Sequence, residues 1–323
     1  MTVSPDEFAW IARLAPLTRG DRRALNLADD AAVVPGRPGH DLVVSKDAMV
    51  EGVHFPPHER PDLIARRLLR TNLSDLAAKA AEPFGYLLMT AWPEDRSWAD
   101  RDAFIRGLAE DGETFNISLL GGDTVRTAGP FTLSATVLGW CPEGRAVLRS
   151  GARAGDAAVA LGAIGDGWLG LKAVRGEVAD PGGHLADHYR LPRPLLELRT
   201  LLRDLARASA DVSDGLLADA GHIASASGVG LTLQLEHLPL SANATDWCDA
   251  QTDQEAARLA LATGGDDYAL VCAVHPADEG ALRTGAAQLG IAAARVGVFE
   301  ALAGVRVTLR GQALQVERTG WRH

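Results

Sequence analysis

The amino-acid sequence predicts an α+β protein with two domains, and three observations lead to this prediction. The chain has 323 residues, enough for two domains of roughly 150 residues that each bury a core. Apolar residues recur at helical spacing in some segments and at strand spacing in others, in both halves of the chain. A segment rich in Gly, Pro and charge, residues 142–154, lies between the halves. We therefore predict one domain over residues 1–141 and a second over residues 142–323.

The first predicted domain mixes helices and strands. A helix over residues 4–14 comes first. Two apolar segments follow, and the Pro-Gly pairs between them predict a hairpin formed by AAVVP and DLVVS. Apolar residues at helical spacing predict a helix over residues 61–81 with a break near Asn72, and an amphipathic helix over residues 97–115. The remaining predicted strands are GYLLMTAWP, ISLLGGD and FTLSATVLGW.

The second predicted domain begins again with a strand, DAAVALGA, followed by a Gly-rich turn and the helix WLGLKAVRG. The segment at 180–194 has so many turn residues that we predict no regular element there. Helices are then predicted over LLELRTLLRDLARA and over residues 216–226. The last predicted elements are the strands GLTLQLE and YALVCAV, an Ala-rich helix and short strands towards the C-terminus.

Composition limits the classes of function. A net charge of −10 argues against a general nucleic-acid binder, because the phosphate backbone would be repelled. Cys141, Cys248 and Cys272 are far apart and form no CxxC pattern, so no disulfide framework or zinc cluster is predicted. The N-terminal segment lacks the apolar stretch of a secretory signal, and no apolar run is long enough to span a bilayer. We therefore expect a cytoplasmic protein that does not bind membranes.

Glycine and histidine patterns in the second domain have simple structural interpretations. Gly165, Gly167 and Gly170 form one GxGxxG pattern, but the second strand that a dinucleotide site requires does not follow. We interpret the pattern as a tight turn that joins a strand to a helix. His184 and His188 have the spacing of helical zinc ligands, yet Pro and Gly precede them, so we interpret both as structural or exposed. The chain contains no P-loop pattern.

Acidic residues recur at the ends of predicted elements, beside Gly and Ser, where backbone can approach a ligand. Carboxylates that converge from several elements repel one another unless a cation lies between them. Mg²⁺ prefers oxygen ligands and shares them with the phosphates of a substrate. The sequence therefore predicts a Mg²⁺–phosphate site built from these segments: LADDAAVV, SKDAMVEGVHF, NLSDLAAKAAEP, GGDTVR, DVSDGLLADAGH and GGDDY.

These segments, together with RSGARAGD, occur in this order over roughly residues 8–323 and resemble the thiamine-monophosphate kinase family. VEGVHF and NLSDLAA are the most specific of them. The resemblance implies a two-domain aminoimidazole ribonucleotide synthetase-like α+β fold. It also implies an enzyme that uses ATP to convert thiamine phosphate to thiamine pyrophosphate, and a homodimer built through the first domain.

The resemblance further implies roles for individual residues. The metal site, which would hold several Mg²⁺ ions, would consist of Asp30, Ser45, Lys46, Asp47, Asp75, Asp123, Asp211 and Asp214. Residues at the ATP would be Gly122, Asp123, Arg149 and Ser213. Residues at the thiamine phosphate would be His54, Asp266 and Trp321. No protein nucleophile or base is implied, because the acceptor is a phosphate monoester whose oxygen is itself a nucleophile at neutral pH.

The chain departs from the family pattern at three of these motifs. Ala28 replaces a usual Gly, and Asp266 replaces a usual Glu. Lys46 stands where a small hydroxyl residue is usual. Its side chain either points away, which leaves the backbone carbonyl near the site, or its ammonium substitutes for one of the cations. Two alternative functions remain open. Lys46 and Asp266 suggest a catalytically weak paralogue that binds thiamine phosphates, and the other alternative is another ATP-dependent enzyme of the superfamily, against which VEGVHF and Trp321 argue.

Overall fold

The computed structural model of the protein describes residues 7–316 and 319–320. Contacts between Cα atoms divide the chain into two units. The first contains the chain up to Leu76 together with Ala81–Gly144, and the second contains Ala77–Ala80 together with the chain from Arg145 onward. Over the described ranges, no helix is both long and apolar enough to cross a membrane.

The first unit contains a four-stranded sheet with α-helices on one of its faces. The strand order is β1-β4-β2-β3; β4 is antiparallel to both neighbours, and β2 and β3 are parallel. The strands are β1 (His40–Val50), β2 (Glu82–Pro93), β3 (Ser118–Thr127) and β4 (Thr132–Pro142). The α-helices are α1 (Glu7–Leu14), α2 (Pro61–Ala78) and α3 (Trp98–Thr114), and 3-10 helices cover Ala15–Thr18 and Arg22–Leu27.

The two faces of this sheet differ in burial, because successive side chains of a strand point to opposite faces. Trp92 of β2 lies on the buried face, where its ring contacts Trp10 of α1 and Phe104 of α3. The opposite face, here called the open face, is covered around Trp140 by Ala24 and Leu27 of a 3-10 helix, and elsewhere it exposes large apolar side chains. These are Leu42 and Val44 of β1, Leu87 of β2 and Val125 of β3.

Two predictions for the first unit are wrong. AAVVP and DLVVS form no hairpin, because DLVVS belongs to β1 and β1 pairs with β4, far along the chain. Pro35 and Pro38 lack the N–H groups that a strand ladder needs. The predicted break near Asn72 is also absent, since α2 is continuous. The Asn72 amide donates to Leu68 O at 2.8 Å within the same helix.

The second unit contains a seven-stranded sheet of order β11-β10-β7-β9-β5-β8-β6, in which only the pair β10 and β7 is parallel among the described strands. Its strands are β5 (Ala157–Leu161), β6 (Ala206–Val212), β7 (Gly230–Gln234), β8 (Ala269–Val274), β9 (Ala293–Glu300), β10 (Gly304–Leu309) and β11 (Gln312–Ala313). Its helices are α4 (Asp166–Val174), α5 (His184–Arg190), α6 (Arg199–Leu205), α7 (Leu216–Ser227), α8 (Ala242–Asp249), α9 (Gln254–Thr263) and α10 (Glu279–Gln288). A core of fully buried side chains joins the sheet to α7.

Two boundaries in the second unit differ from the prediction. The segment expected to be irregular contains α5, which begins directly after Gly183. Gly183 has φ 71°, a left-handed conformation that glycine adopts easily, and so the chain turns sharply there before the helix begins. The helix predicted to continue to residue 208 ends at Leu205, and the next residues begin β6. Helices α8 and α9 and strand β6 were not predicted.

Candidate active site

In the first unit, β1 and α2 bring together residues that the sequence analysis singled out. Ser45 Oγ of β1 donates to Asp75 Oδ2 of α2 at 2.6 Å. Two residues further along β1, the Asp47 N–H donates to Asn72 Oδ1 at 2.9 Å. Asn72 is fully buried, so it fixes the backbone of Asp47 while the Asp47 side chain is exposed. The contacts hold Ser45, Asp47 and Asp75 along one strand–helix junction.

Lys46 lies between these residues in sequence, but its side chain takes the other face of β1. Its ammonium donates to Ser134 Oγ of β4 at 3.0 Å. An ammonium has no lone pair, so the side chain cannot ligate a metal. A contact between Lys46 and a cation would have to use the backbone carbonyl, and such a contact stays a prediction.

Two further acidic residues of the first unit are exposed. Asp30 lies in the loop before β1, and Asp29 Oδ1 accepts its N–H at 2.8 Å. Asp123 lies on β3, where its Oδ1 accepts the N–H of Thr124 at 2.8 Å. The residue before it, Gly122, passes so close to β2 that a Cβ would lie 1.9 Å from Leu88 O. Glycine is therefore required at this position by packing alone.

His54 lies in the loop that follows β1. The Val50 N–H donates to His54 Nδ1 at 3.1 Å. Because the backbone N–H must be the donor, Nδ1 is unprotonated and the neutral ring carries its proton on Nε2. This tautomer presents an N–H donor that suits a phosphate oxygen.

In the second unit, the turn between β6 and α7 is built around one carboxylate. Asp219 Oδ2 accepts the N–H groups of Ser213, Asp214 and Gly215 at 3.1 to 3.2 Å. Burial and then the charge of Asp214 raise the pKa of Asp219 to about 7, against the lowering effect of these hydrogen bonds and of Arg149. The predicted residues Ser213 and Asp214 thus owe their positions to an acid that the sequence analysis did not select.

Asp214, Asp219 and His222 form the one group of three potential metal-ligating side chains whose ligand atoms lie within 4.8 Å of one another in the described part of the chain. Asp211 precedes Asp214 in the chain, lies on β6 and is buried. Arg149 is exposed, and its charge acts on Asp219. These groups give the turn a mixed set of carboxylate, imidazole and guanidinium groups.

The GGDDY segment lies against the same turn. Asp266 has φ 65° and donates its N–H to Ser213 O at 2.8 Å. Left-handed backbone favours Asp over longer side chains, because Asp forms local hydrogen bonds there. At Gly265 a Cβ would lie 2.5 Å from Ser213 O, so no larger residue fits. The close backbone contact fixes the position of Asp266 relative to Ser213.

Asp267 is 2% exposed and ties this segment to α4. Its carboxylate accepts the N–H groups of Gly165 and Gly167 at 2.9 Å, at the N-terminus of the helix. Burial, together with Asp166 and Asp266, raises the pKa of Asp267 well above its usual range, although the hydrogen bonds from Gly165 and Gly167 lower it. The GxGxxG pattern is therefore a strand-to-helix turn, as predicted, and a side chain of the protein occupies its anion position.

The two histidines of α5 also have structural partners. His184 Nε2 lies 3.2 Å from Asp166 Oδ2, and His188 Nε2 lies 3.1 Å from Asp267 O. Both contacts support the turn that carries Asp267. Trp321 lies outside the described residues. The neighbouring Gly320 packs so closely that a Cβ would lie 2.6 Å from Asp214 O.

Sequence reasoning missed Asp219, His222 and Asp267 as members of this region. Asp267 is the second acid of GGDDY, two residues before an apolar strand. That position is a weak sign of a buried carboxylate that binds backbone N–H groups. Asp219 lies in the first turn of α7, where acids commonly bind the N–H groups of a helix start. Neither signal distinguishes a structural carboxylate from a ligand-binding one.

The sequence and the fold match one class of proteins. Residues 28–141 match the sequence model for AIR synthase related protein, N-terminal domain, and residues 153–310 match the one for the C-terminal domain. A solved structure of Escherichia coli HypE has a TM-score of 0.79 at 20% identity, covers 97% of each chain and shows the same fold. The chain is thus an AIR synthase related protein, and the fold class expected from the resemblance is confirmed.

Closer relatives identify the family within this class. The thiamine-monophosphate kinase of Caulobacter vibrioides is 55% identical over 320 residues, which cover 99% of this chain and 91% of the relative. The crystal structure of thiamine-monophosphate kinase from Stenotrophomonas maltophilia K279a has a TM-score of 0.82 at 33% identity and covers 97% of this chain and 99% of that one. AaThiL complexed with AMPPCP and TMP has a TM-score of 0.77 at 26% identity, with 100% of both chains covered. The chain belongs to the thiamine-monophosphate kinase family.

Proposed function

We propose that this chain transfers the γ-phosphoryl group of ATP to thiamine phosphate and produces thiamine pyrophosphate and ADP. The observation that carries the proposal is a relative with the same fold over the whole chain that holds AMPPCP and TMP together. AMPPCP is an ATP analogue whose terminal phosphoryl group cannot be transferred, so that complex contains both reactants of such a step. Relatives with higher identity are also named thiamine-monophosphate kinase.

The reaction needs no protein nucleophile. A phosphate monoester is largely ionised at neutral pH, so an oxygen of thiamine phosphate attacks the γ-phosphorus directly. The bond from the γ-phosphorus to the β–γ bridging oxygen breaks, and ADP leaves with the electron pair. The task of the protein is to bring two anionic substrates into line and to offset their repulsion.

The oxygen ligands of the two units suit Mg²⁺. The first unit offers the carboxylates of Asp30, Asp47, Asp75 and Asp123. Ser45 donates its proton to Asp75, so its oxygen is left as an acceptor that a hard cation can use. The second unit offers the carboxylates of Asp211 and Asp214. Bound Mg²⁺ would neutralise phosphate oxygens of both substrates.

Other residues would bind the organic substrates. We propose that Arg149 and Ser213 contact the nucleotide, because a guanidinium binds phosphate in a bidentate manner and Ser213 lies at a helix start. Gly122 would contact the nucleotide through its backbone. His54 would donate from Nε2 to the phosphate of thiamine phosphate. Asp266 and Trp321 would bind the cationic thiamine part, since an indole face attracts an aromatic cation.

We also propose that the protein is a cytoplasmic homodimer. The open face of the first sheet exposes Leu42, Val44, Leu87 and Val125, each between 40% and 53% exposed. Exposed apolar side chains grouped on one sheet face are typical of an interface, and this face also carries Lys46 and Asp123. Two copies of one sheet face can cover each other around a two-fold axis.

Turnover of the purified protein tests the proposed function. We expect ATP, thiamine phosphate and Mg²⁺ to yield thiamine pyrophosphate and ADP in equal amounts, measured by chromatography. Tight binding of thiamine phosphate without turnover would instead indicate the catalytically weak paralogue. ADP production only with a different acceptor, such as an aminoimidazole precursor, selenide or a carbamoyl donor, would indicate another enzyme of the superfamily.

A further inference from the structure

The loop that carries His54, residues 51–58, is held by an ion pair for which the proposed reaction has no use. Glu51 and Arg96 lie 2.7 Å apart, and their side chains are 13% and 9% exposed. Exposed ion pairs contribute little, but a pair this well covered fixes the geometry of what it joins. The loop itself is short and exposes Val53, so its shape depends on such anchors.

The carboxylate of Glu51 joins both ends of the loop to the sheet. Oε1 accepts the N–H of His58 at 2.9 Å and an Arg96 Nη2–H at 2.7 Å. Oε2 accepts the N–H of Phe131, just before β4, at 3.3 Å. Glu51 also donates its own N–H to Phe131 O at 3.0 Å. One side chain thereby ties the start of the loop, the end of the loop and the neighbouring strand together.

The charge of Glu51 is favoured at this position. Burial opposes its ionisation, but the N–H groups of His58 and Phe131 and the guanidinium of Arg96 outweigh burial and hold the pKa of Glu51 below its usual range. The carboxylate is therefore ionised at neutral pH and uses both oxygens as acceptors. A neutral amide at this position would place its NH₂ group against a donor.

Inside the loop, two backbone contacts set the conformation of His54. The Gly52 N–H donates to Phe55 O at 2.8 Å, and Gly52 has φ 82°, a conformation that favours glycine. The His54 N–H donates to Val50 O at 2.9 Å, while Val50 N–H donates to His54 Nδ1. The imidazole therefore keeps its Nε2–H tautomer only while the loop keeps this shape.

We propose that Glu51 is a positioning residue for the thiamine phosphate site, acting with Arg96 to hold His54 in the Nε2–H form that donates to the substrate phosphate. This inference rests on the proposed function. It assigns no chemical step to Glu51, which acts only through the loop.

The test compares kinetics and the tautomer of His54. Glu51→Gln is nearly isosteric, and we expect it to raise the KM for thiamine phosphate about tenfold, the weight of one hydrogen bond to a charged group, with the KM for ATP and kcat within about twofold. Arg96→Gln should likewise raise the KM for thiamine phosphate and not the KM for ATP. In the double variant the KM for thiamine phosphate should be no higher than in either single variant. In ¹⁵N NMR spectra, His54 should show the pure Nε2–H tautomer in the wild type and a mixture in Glu51→Gln.

Asp111→Asn is a matched control for loss of stability. Asp111 is fully buried in the same unit and pairs with Arg66 and Arg70, so its loss should lower the Tm without separating the two KM values. Equal changes in both KM values in Glu51→Gln, or an unchanged His54 tautomer, would overturn the positioning role. His54→Ala separates the two proposals. If the KM for thiamine phosphate rises in His54→Ala but not in Glu51→Gln, the positioning role of Glu51 is refuted and the proposed function is not. If the wild-type protein shows no turnover, the proposed function is refuted.

Discussion

Single carboxylates in this chain belong to two groups that the sequence does not distinguish. Asp219 and Asp267 are buried and accept hydrogen bonds from backbone N–H groups of nearby turns. Asp30, Asp47 and Asp123 are exposed. A buried carboxylate whose oxygens are taken by the backbone stabilises a turn, whereas an exposed one can bind a cation at small cost. For these five acids burial therefore indicates the role, whereas Asp211 is buried as well and is proposed as a metal ligand from its motif.

Asp123→Asn should abolish turnover and leave stability nearly unchanged. An amide is a poor substitute for a carboxylate at Mg²⁺, so we expect kcat/KM to fall at least about 100-fold. The Asn carbonyl can still accept the Thr124 N–H, so the free energy of unfolding should change by less than about 0.5 kcal/mol. Steady-state kinetics and urea unfolding measure the two effects. Near-normal turnover would remove Asp123 from the proposed metal site.

Lys46→Thr should leave the Mg²⁺ dependence of activity unchanged. The Lys46 ammonium is held by Ser134 on the face of β1 opposite Ser45. Asp123 shares the face of Lys46, but β2 lies between its strand and β4, a separation of about 10 Å from Ser134. We expect Mg²⁺ titrations of variant and wild type to overlay. A higher half-saturating Mg²⁺ concentration in the variant would show instead that the ammonium substitutes for a cation.

The candidate site could be predicted from sequence only as far as its motifs reach. The contact between Ser45 and Asp75 joins residues 30 positions apart, and the ordered motifs indicated both. Glu51 stood inside VEGVHF, yet nothing in that motif shows that its partners are Arg96 and the Phe131 N–H. Such partners come from long-range strand pairing, which local sequence does not encode.

At the scale of elements, Asp267 makes the joint between α4 and β8 sensitive to pH. Folding raises the pKa of Asp267 above the ordinary value of 3.8, so the folded state binds a proton more tightly than the unfolded state does. The stability that this proton gives is lost as pH rises above about 4. Asp267→Asn removes the titration. The free energy of unfolding of the variant, relative to the wild type, should therefore increase as pH rises from about 4 towards neutral pH. Urea unfolding across that range measures it, and parallel curves would contradict the expectation.

The elements that were predicted correctly are those with strong periodicity and clear ends. Helix α3, which its amphipathic pattern predicted, begins at Trp98 directly after Ser97, and Ser97 forms a capping box with Asp100. The false hairpin before β1 had good local turn signals, but the ladder of β1 formed with β4, about 90 residues away along the chain. Helix α5 was missed because Pro and Gly lie just before it, and the same residues that end one element can begin the next.

At the scale of the whole molecule, the open face of the first sheet is the feature that a single chain leaves unexplained. Val44 on β1 is 53% exposed. If two copies cover this face, Val44→Glu places an unpaired charge in the interface and should raise the dimer Kd at least about 30-fold, or about 2 kcal/mol. Light scattering over a dilution series measures the change. Val33→Glu is a suitable control, because Val33 is exposed outside the sheet. Equal dimerisation of both variants would place the interface elsewhere.

The tight passage of β3 past β2 has a consequence for reading natural variation in this protein. At Gly122 a Cβ would lie 1.9 Å from a backbone oxygen, so every other amino acid is excluded before any nucleotide arrives. If this glycine is invariant among related organisms, the packing of β3 against β2 is enough to explain it. Its conservation would then carry no information about ligand contact. The side chain of the neighbouring Asp123 is exposed. Its persistence or drift over evolutionary time would report selection on chemistry.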